Sequence, residues 1–315
     1  MPTILFPPYG NLTEQHLNRL RQMVVVPADW RAPAVFPGSV EDHHKLYMDT
    51  VIKVIEDVLW PTYSTGWPSG RQQHMEQLTR LDFVVQQKVA KHLDEFVSPG
   101  SQMTHRNLFE IEDGPEDFGA EFDKYDGNAP FTLVQTIKDL SAKAASQDRK
   151  VGWGVVRLKQ LFQRPRLYQA SLLLGNDRFE WQEAESSLTP SLPSGHALQG
   201  MMWVGAAVEQ LLNAGVTVSD ALRQYLVDPG DRRVMAGVHY PSDNIASWLM
   251  IFLSVPFVFR NGDVKNEFWR AITERSLVYR LMDEVGGLYR PALDALKAAY
   301  CGDLTVGGPT VIDTK

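Results

Sequence analysis

Three short segments gather the residue types that could handle a tetrahedral oxyanion. The first is Lys159-Gln160-Leu161-Phe162-Gln163-Arg164-Pro165-Arg166, the second Pro193-Ser194-Gly195-His196, and the third runs from Arg232 through Arg233, His239 and Tyr240 to Asp243. If they meet, Lys159, Arg166 and Arg233 supply three cations, and guanidinium forks donate paired hydrogen bonds to such anions. Ser194 and Gly195 stand just before a helical run, so their backbone N–H groups would face an anion at a helix N-terminus. His239 could be a nucleophile or a ligand. Asp243 lies four residues on, on the same face if the segment is helical, and can hold the imidazole. His196 is then the opposing acid or base. Of the eight histidines, these two have plausible partners. His43, His44, His74, His92 and His105 read as surface or packing residues. Arg164 reads as a solvated helix position, and Asp231, Arg232 and Tyr240 as neighbours that support the site.

Positioning these groups falls to helices. Apolar residues recur at helical spacing over 41–60, 71–97, 131–145, 155–162, 194–213, 241–258, 267–284 and 290–300, and strand alternation is scarce. Residues 101–130 are acidic and rich in Gly and Pro, which predicts a connecting loop. The expected fold is all-α: a helical bundle with residues 1–130 as a helical extension packed on a core of residues 131–315.

Composition narrows the partners. The chain has 315 residues, 44% hydrophobic and 22% charged, which excludes wholesale disorder. Lys plus Arg number 31 and Asp plus Glu 38, a net charge of −7, so nucleic acid is not an expected partner. The single cysteine, Cys301, can form neither an internal disulfide nor a cysteine metal cluster and reads as structural. The longest apolar run, 245–259, falls short of the roughly 20 residues that span a bilayer. The N-terminus lacks a charged region ahead of its apolar stretch. A soluble, cytoplasmic protein is expected.

Taken together, the three segments resemble the signature of the type 2 phosphatidic acid phosphatase and vanadium haloperoxidase superfamily, K-x6-R-P, P-S-G-H and S-R-x5-H-x3-D. Lys159 and Arg166 have the first spacing, and Arg233, His239 and Asp243 have the third. Leu167 replaces the proline after the first arginine, and Arg232 replaces the serine before the second. The resemblance covers about residues 150–260. It implies the helical bundle of the acid phosphatase and vanadium haloperoxidase type.

For function, the resemblance implies hydrolysis of a phosphate ester or diphosphate through a phosphohistidine. His239 would be the nucleophile, Asp243 its orienter and His196 the general acid. Lys159, Arg166, Arg233 and the Ser194-Gly195 amides would hold the phosphoryl oxygens, with no cofactor required. The other branch of the superfamily binds vanadate on the third-motif histidine, here His239, and oxidises halide with peroxide. Val156 and Thr189 stand where that branch's chloroperoxidases carry halide-pocket aromatics, which favours the phosphatase. Many relatives are membrane lipid phosphatases; without spans, this chain points to a soluble small-molecule ester. Residues 1–149 are left two roles, covering the pocket mouth or forming a homodimer interface, with Trp60, Tyr63 and Trp67 as candidate entrance residues. The 180–185 stretch reads as a polar loop.

Overall fold

The computed structural model describes residues 51–53, 55, 59, 69–92, 122, 131–132, 135–136, 155, 158–173 and 189–304. The expected 101–130 loop, the 180–185 stretch and Trp60, Tyr63 and Trp67 lie outside or almost outside them, as does most of the N-terminal extension. Among the described residues all regular structure is helical and no strand occurs. The elements are α1 (Ser69–Ala90), α2 (Leu167–Leu173), α3 (Gly195–Gln199), α4 (Gly205–Asn213), α5 (Asp220–Met235), α6 (Pro241–Val258), α7 (Val264–Arg270), α8 (Leu277–Val285) and α9 (Arg290–Cys301). A π-helical turn, Gly200–Val204, joins α3 to α4 without a break. No described helix is long and apolar enough to cross a membrane.

α5 does not appear among the periodic segments of the sequence, and its environment explains why. Nearly every residue from Leu222 to Met235 is buried, including Asp228, Asp231, Arg232 and Arg233. A helix surrounded on all sides shows no apolar stripe. Some of its charges pair within the helix: Gln224 donates to Asp228 at 2.6 Å, and Arg232 lies 3.6 Å from the same carboxylate. Pro229 sits inside the helix, where it cannot donate to the carbonyl four residues back.

Two glycines set how closely α5 meets the helix that carries Gly195 and His196. A Cβ on Gly230 would lie 2.7 Å from the Ala197 Cβ, and one on Gly200 would lie 2.9 Å from the Leu226 carbonyl oxygen. Neither gap admits a side chain, so the two helices touch backbone to backbone. That contact places His196 opposite Arg233. Gly237, at φ 72°, then turns the chain out of α5, a conformation glycine adopts without a Cβ penalty. The turn delivers His239 to the start of α6. Pro241 stands in the first turn of α6, where its missing N–H is not needed.

The predicted 267–284 helix is broken in two. A π-helical turn, Ala271–Arg275, ends the first part, and Ser276 caps α8 by accepting from Tyr279 N at 3.0 Å. Asp231 completes the cap. Its carboxylate accepts from Ser276 Oγ at 2.9 Å and Leu277 N at 2.8 Å. Asp231 therefore serves the α8 N-terminus rather than the motif residues. Burial, with Asp228 nearby, pushes its carboxyl up to about 7, against the hydrogen bonds it accepts.

One continuous apolar core runs through these helices. Trp248 and Phe83 are fully buried within it, with Phe122 and Phe268, each worth about 2–3 kcal/mol of transfer free energy. Cys301 is exposed at the end of α9.

Candidate active site

The loop between residues 162 and 167 aims the first motif. Helical residues 158–162 end at Gln163, which takes a left-handed φ of 48°. That conformation costs a non-glycine residue about 1 kcal/mol. The Gln163 side chain offsets it by donating to Gln160 O at 2.8 Å. The chain then turns so that Arg164 and Arg166 face different ways. Ser191 pins the loop, its N–H donating to Arg164 O at 2.9 Å and its Oγ to Pro165 O at 3.2 Å.

Lys159, Arg166, Gly195, His196, Arg233 and His239 line one cavity of about 290 Å³, with Val155, Thr189, Leu198, Gln199 and Val238 completing the described wall. Its size is near the lower end for small-molecule sites. The structure thus brings residues of all three segments to one place.

Each cation has a set direction. Arg166 donates through Nε to Thr189 O at 2.6 Å and through one terminal nitrogen to Val238 O at 2.9 Å. The same nitrogen lies 2.8 Å from His239 Nε2, and the other donates to Thr189 Oγ1 at 3.2 Å. Lys159 Nζ donates to the carbonyls of Pro190 and of Ser191, the latter at 3.1 Å. An Arg233 terminal nitrogen donates to His196 Nε2. Burial lowers Lys159 well below its ordinary value and holds Arg166 at about 10, with neighbouring cations adding to both shifts.

His239 is held from behind. Its Nδ1 lies 3.0 Å from Asp243 Oδ2, which also accepts from Tyr240 N at 3.0 Å. The ring therefore carries its proton on Nδ1 and turns the Nε2 lone pair toward Arg166 and the cavity. Burial, then Arg166 and Lys159, push its imidazolium well below the ordinary range. Asp243 is fully buried. Burial alone would raise it, but Arg164, His239 and the Tyr240 amide outweigh that and hold it down to about 2.

Ser194 is placed otherwise than the sequence predicts. It is fully buried and not among the lining residues. Its N–H donates to Asp243 O at 3.3 Å, its Oγ accepts from Ala197 N at 3.3 Å, and its carbonyl accepts from Ser247 Oγ at 2.7 Å. It ties the start of α3 to α6. Gly195 does face the cavity, and a Cβ there would meet nothing within 4 Å.

Arg164 is not solvated; its side chain is 0% exposed. It donates to Asp243 Oδ1 at 2.7 Å, Ser242 Oγ at 2.9 Å and Asp82 Oδ2 at 2.9 Å. Its guanidinium lies 3.7 Å over the Tyr240 ring. Asp82 and Tyr289 were invisible to motif reasoning. The one sequence signal for Asp82 is a carboxylate between Leu81 and Phe83 on an otherwise apolar helix face, with Gln86 one turn on.

No group of metal-ligating side chains occurs among the described residues. Comparison with family models, curated proteins and solved structures yields no match.

Proposed function

We propose that this protein is a phosphatase that hydrolyses a soluble phosphate ester or diphosphate through a phosphohistidine. The observation that carries the reading is the state of His239. Its Nδ1 lies 3.0 Å from Asp243 Oδ2 and its Nε2 faces a cavity beside Lys159, Arg166 and Arg233, the setting of a neutral imidazole with its proton on Nδ1.

A phosphoryl group entering the cavity takes over the hydrogen bonds that Arg166 and Arg233 now give to the two histidines. His196 Nε2, released as Arg233 turns to the phosphoryl oxygens, takes up a proton from solvent. His239 Nε2 then attacks phosphorus as the bond to the leaving oxygen breaks, and His196 gives that oxygen the proton. Asp243 stabilises the positive charge that builds on the attacked ring. In the second half His196 takes a proton from water, water attacks phosphorus, and the N–P bond breaks to release phosphate. Splitting one displacement into two lowers each barrier, and three cations neutralise the equatorial oxygens. Because His239 resists protonation, the nucleophile stays competent at acidic pH.

Vanadate fits the same donors, with His239 Nε2 as its ligand and Lys159, Arg166, Arg233 and Gly195 around its oxygens; when bound it would supply a peroxide-activating centre. The test is therefore paired. An aryl phosphate is assayed with and without vanadate, and the vanadate-loaded protein is given peroxide, bromide and a halogen acceptor. Expected are vanadate-sensitive hydrolysis, an acid-labile phosphoenzyme, and loss of both in His239→Ala by more than about 10⁴-fold. Bromination with negligible hydrolysis would overturn the phosphatase in favour of the haloperoxidase. Unchanged hydrolysis in His239→Ala would remove the mechanism altogether.

A further inference from the structure

Behind the cavity lies a second set of buried polar groups that the hydrolysis scheme does not use. Asp82 on α1 is at its centre and is 0% exposed. Its Oδ1 accepts from Tyr289 Oη at 2.8 Å and Ser242 N at 3.2 Å. Its Oδ2 accepts from Ser242 Oγ at 2.7 Å and Arg164 at 2.9 Å. The Arg164 and Ser242 N–H groups can only donate, one to each oxygen, and with the two hydroxyls they favour the ionised carboxylate against the burial that pushes it up. Ser242 Oγ can give its proton to Asp82 because its lone pair receives the Arg164 N–H at 2.9 Å. The chain of contacts then runs from Arg164 to Asp243 Oδ1 at 2.7 Å, and from Asp243 Oδ2 to His239 Nδ1 at 3.0 Å.

We propose that Asp82 is a positioning residue for His239: by holding Arg164 it fixes the orientation and charge of the Asp243 carboxylate that orients the imidazole. Arg164 lies between two buried carboxylates and shares its hydrogen bonds between them. Without the Asp82 charge the guanidinium would keep Asp243 as its one carboxylate and draw electron density from it, and so from the Oδ2 that faces His239 Nδ1. The imidazole would then be both less firmly held and less basic. This role rests on the phosphatase reading for its effect on turnover, but not for its effect on the ring.

An isosteric change isolates the claim. In Asp82→Asn the amide N–H₂ must face one side of the pair. On the Oδ1 side it meets the Ser242 backbone N–H, and on the Oδ2 side it meets the Arg164 N–H; neither donor can rotate into an acceptor. No amide orientation reproduces the native bonds.

The experiment is side-chain proton and nitrogen NMR of the full chain, with the His239 Nδ1–H resonance assigned through His239→Gln. Steady-state kinetics on an aryl phosphate run alongside. In the parent protein the Nδ1–H proton should be far downfield and slow to exchange with water. In Asp82→Asn it should move upfield and exchange at least about tenfold faster. The kcat should fall about 10- to 100-fold, as for partners that orient a metal-bound histidine, with KM little changed. Tyr289→Phe removes one donor and keeps the carboxylate. It should move the resonance and kcat the same way by less, and it serves if Asp82→Asn does not fold. If the parent hydrolyses nothing, the phosphatase reading fails while the NMR comparison still tests Asp82. An Nδ1–H proton and kcat unchanged in the folded variants, with only the melting temperature lowered, would overturn the proposal.

Discussion

Arg164 and Arg166 are two residues apart in the chain and belong to different worlds. Arg166 faces the cavity, and one of its nitrogens bonds to His239, which an entering anion can replace. Arg164 lies behind, fixed by two carboxylates, a hydroxyl and an aromatic face. The front layer holds its charges in exchangeable bonds; the back layer holds its charges in bonds with no entering competitor. Residues two apart in regular extended backbone share a face, so the loop after Gln163 is no regular strand: Gln163 turns it, Ser191 holds its carbonyls, and the two arginines face opposite ways. The comparison teaches that the sign and number of charges say little about a buried cation's role. What distinguishes the two is whether a solvent-sized space adjoins it.

The sharpest way to break this contrast is to remove each arginine in turn. Arg164→Met leaves Asp82 and Asp243 buried and facing each other without a counter-ion. It should cost about 3–5 kcal/mol of stability, read by urea unfolding, and a loss under about 1 kcal/mol would erase the distinction. Arg166→Ala should instead lower kcat/KM about 10²- to 10³-fold and weaken vanadate inhibition, with a much smaller change in unfolding free energy. Should Arg166→Ala prove the more destabilising of the two, the layers are misassigned. Next in size, Gly230→Ala forces a methyl against Ala197 at the contact that sets His196 opposite Arg233. It should destabilise by about 1–3 kcal/mol and impair turnover as well. A purely thermal effect with native kinetics would show that the helix contact does not set the spacing of the site.

The smallest effect is a control outside both layers. The Asp231 carboxyl sits at about 7 in the fold, above its ordinary 3.8. A raised carboxyl stabilises the fold fully below pH of about 4, and that contribution is lost as the pH rises through about 7. Stability should therefore decline from about pH 4 to about pH 7, by up to about 1.4 kcal/mol per unit, and level off above that. Asp231→Asn should flatten the decline without moving the activity profile. Asp243, held down at about 2, has the opposite sign: its contribution is complete at neutral pH and lost only as the pH falls through about 2. A steeper slope in Asp231→Asn than in the parent would reverse the assignment.

Much of the front layer was legible in the sequence because its residues fall in three local patterns whose spacing reflects turns of chain. Arg233 and His239 stand six apart because a Gly237 turn separates two helices. The helical class was legible too, since α6 and α9 carry enough apolar residues to declare their length. α5 was not, because burial on every side removes the amphipathic stripe and Asp228-Pro229-Gly230-Asp231 reads as a turn. Arg164 reads as solvated in the sequence because nothing local marks it as buried; its carboxylate partners Asp82 and Asp243 are distant in the chain. The Asp82–Tyr289 pairing is not legible at all: the two are 207 positions apart and meet only through the tertiary fold.

That separation has a consequence for the life of the chain during synthesis. The motif residues from Lys159 to Asp243 leave the ribosome before Tyr289 does, and Asp82 leaves before all of them. The Asp82 carboxylate thus lacks its Tyr289 partner until the stretch after α8 emerges. Long-range closure of this kind is slow and comes late. The hydrogen bonds behind the cavity are accordingly complete only once the stretch that carries Tyr289 has docked.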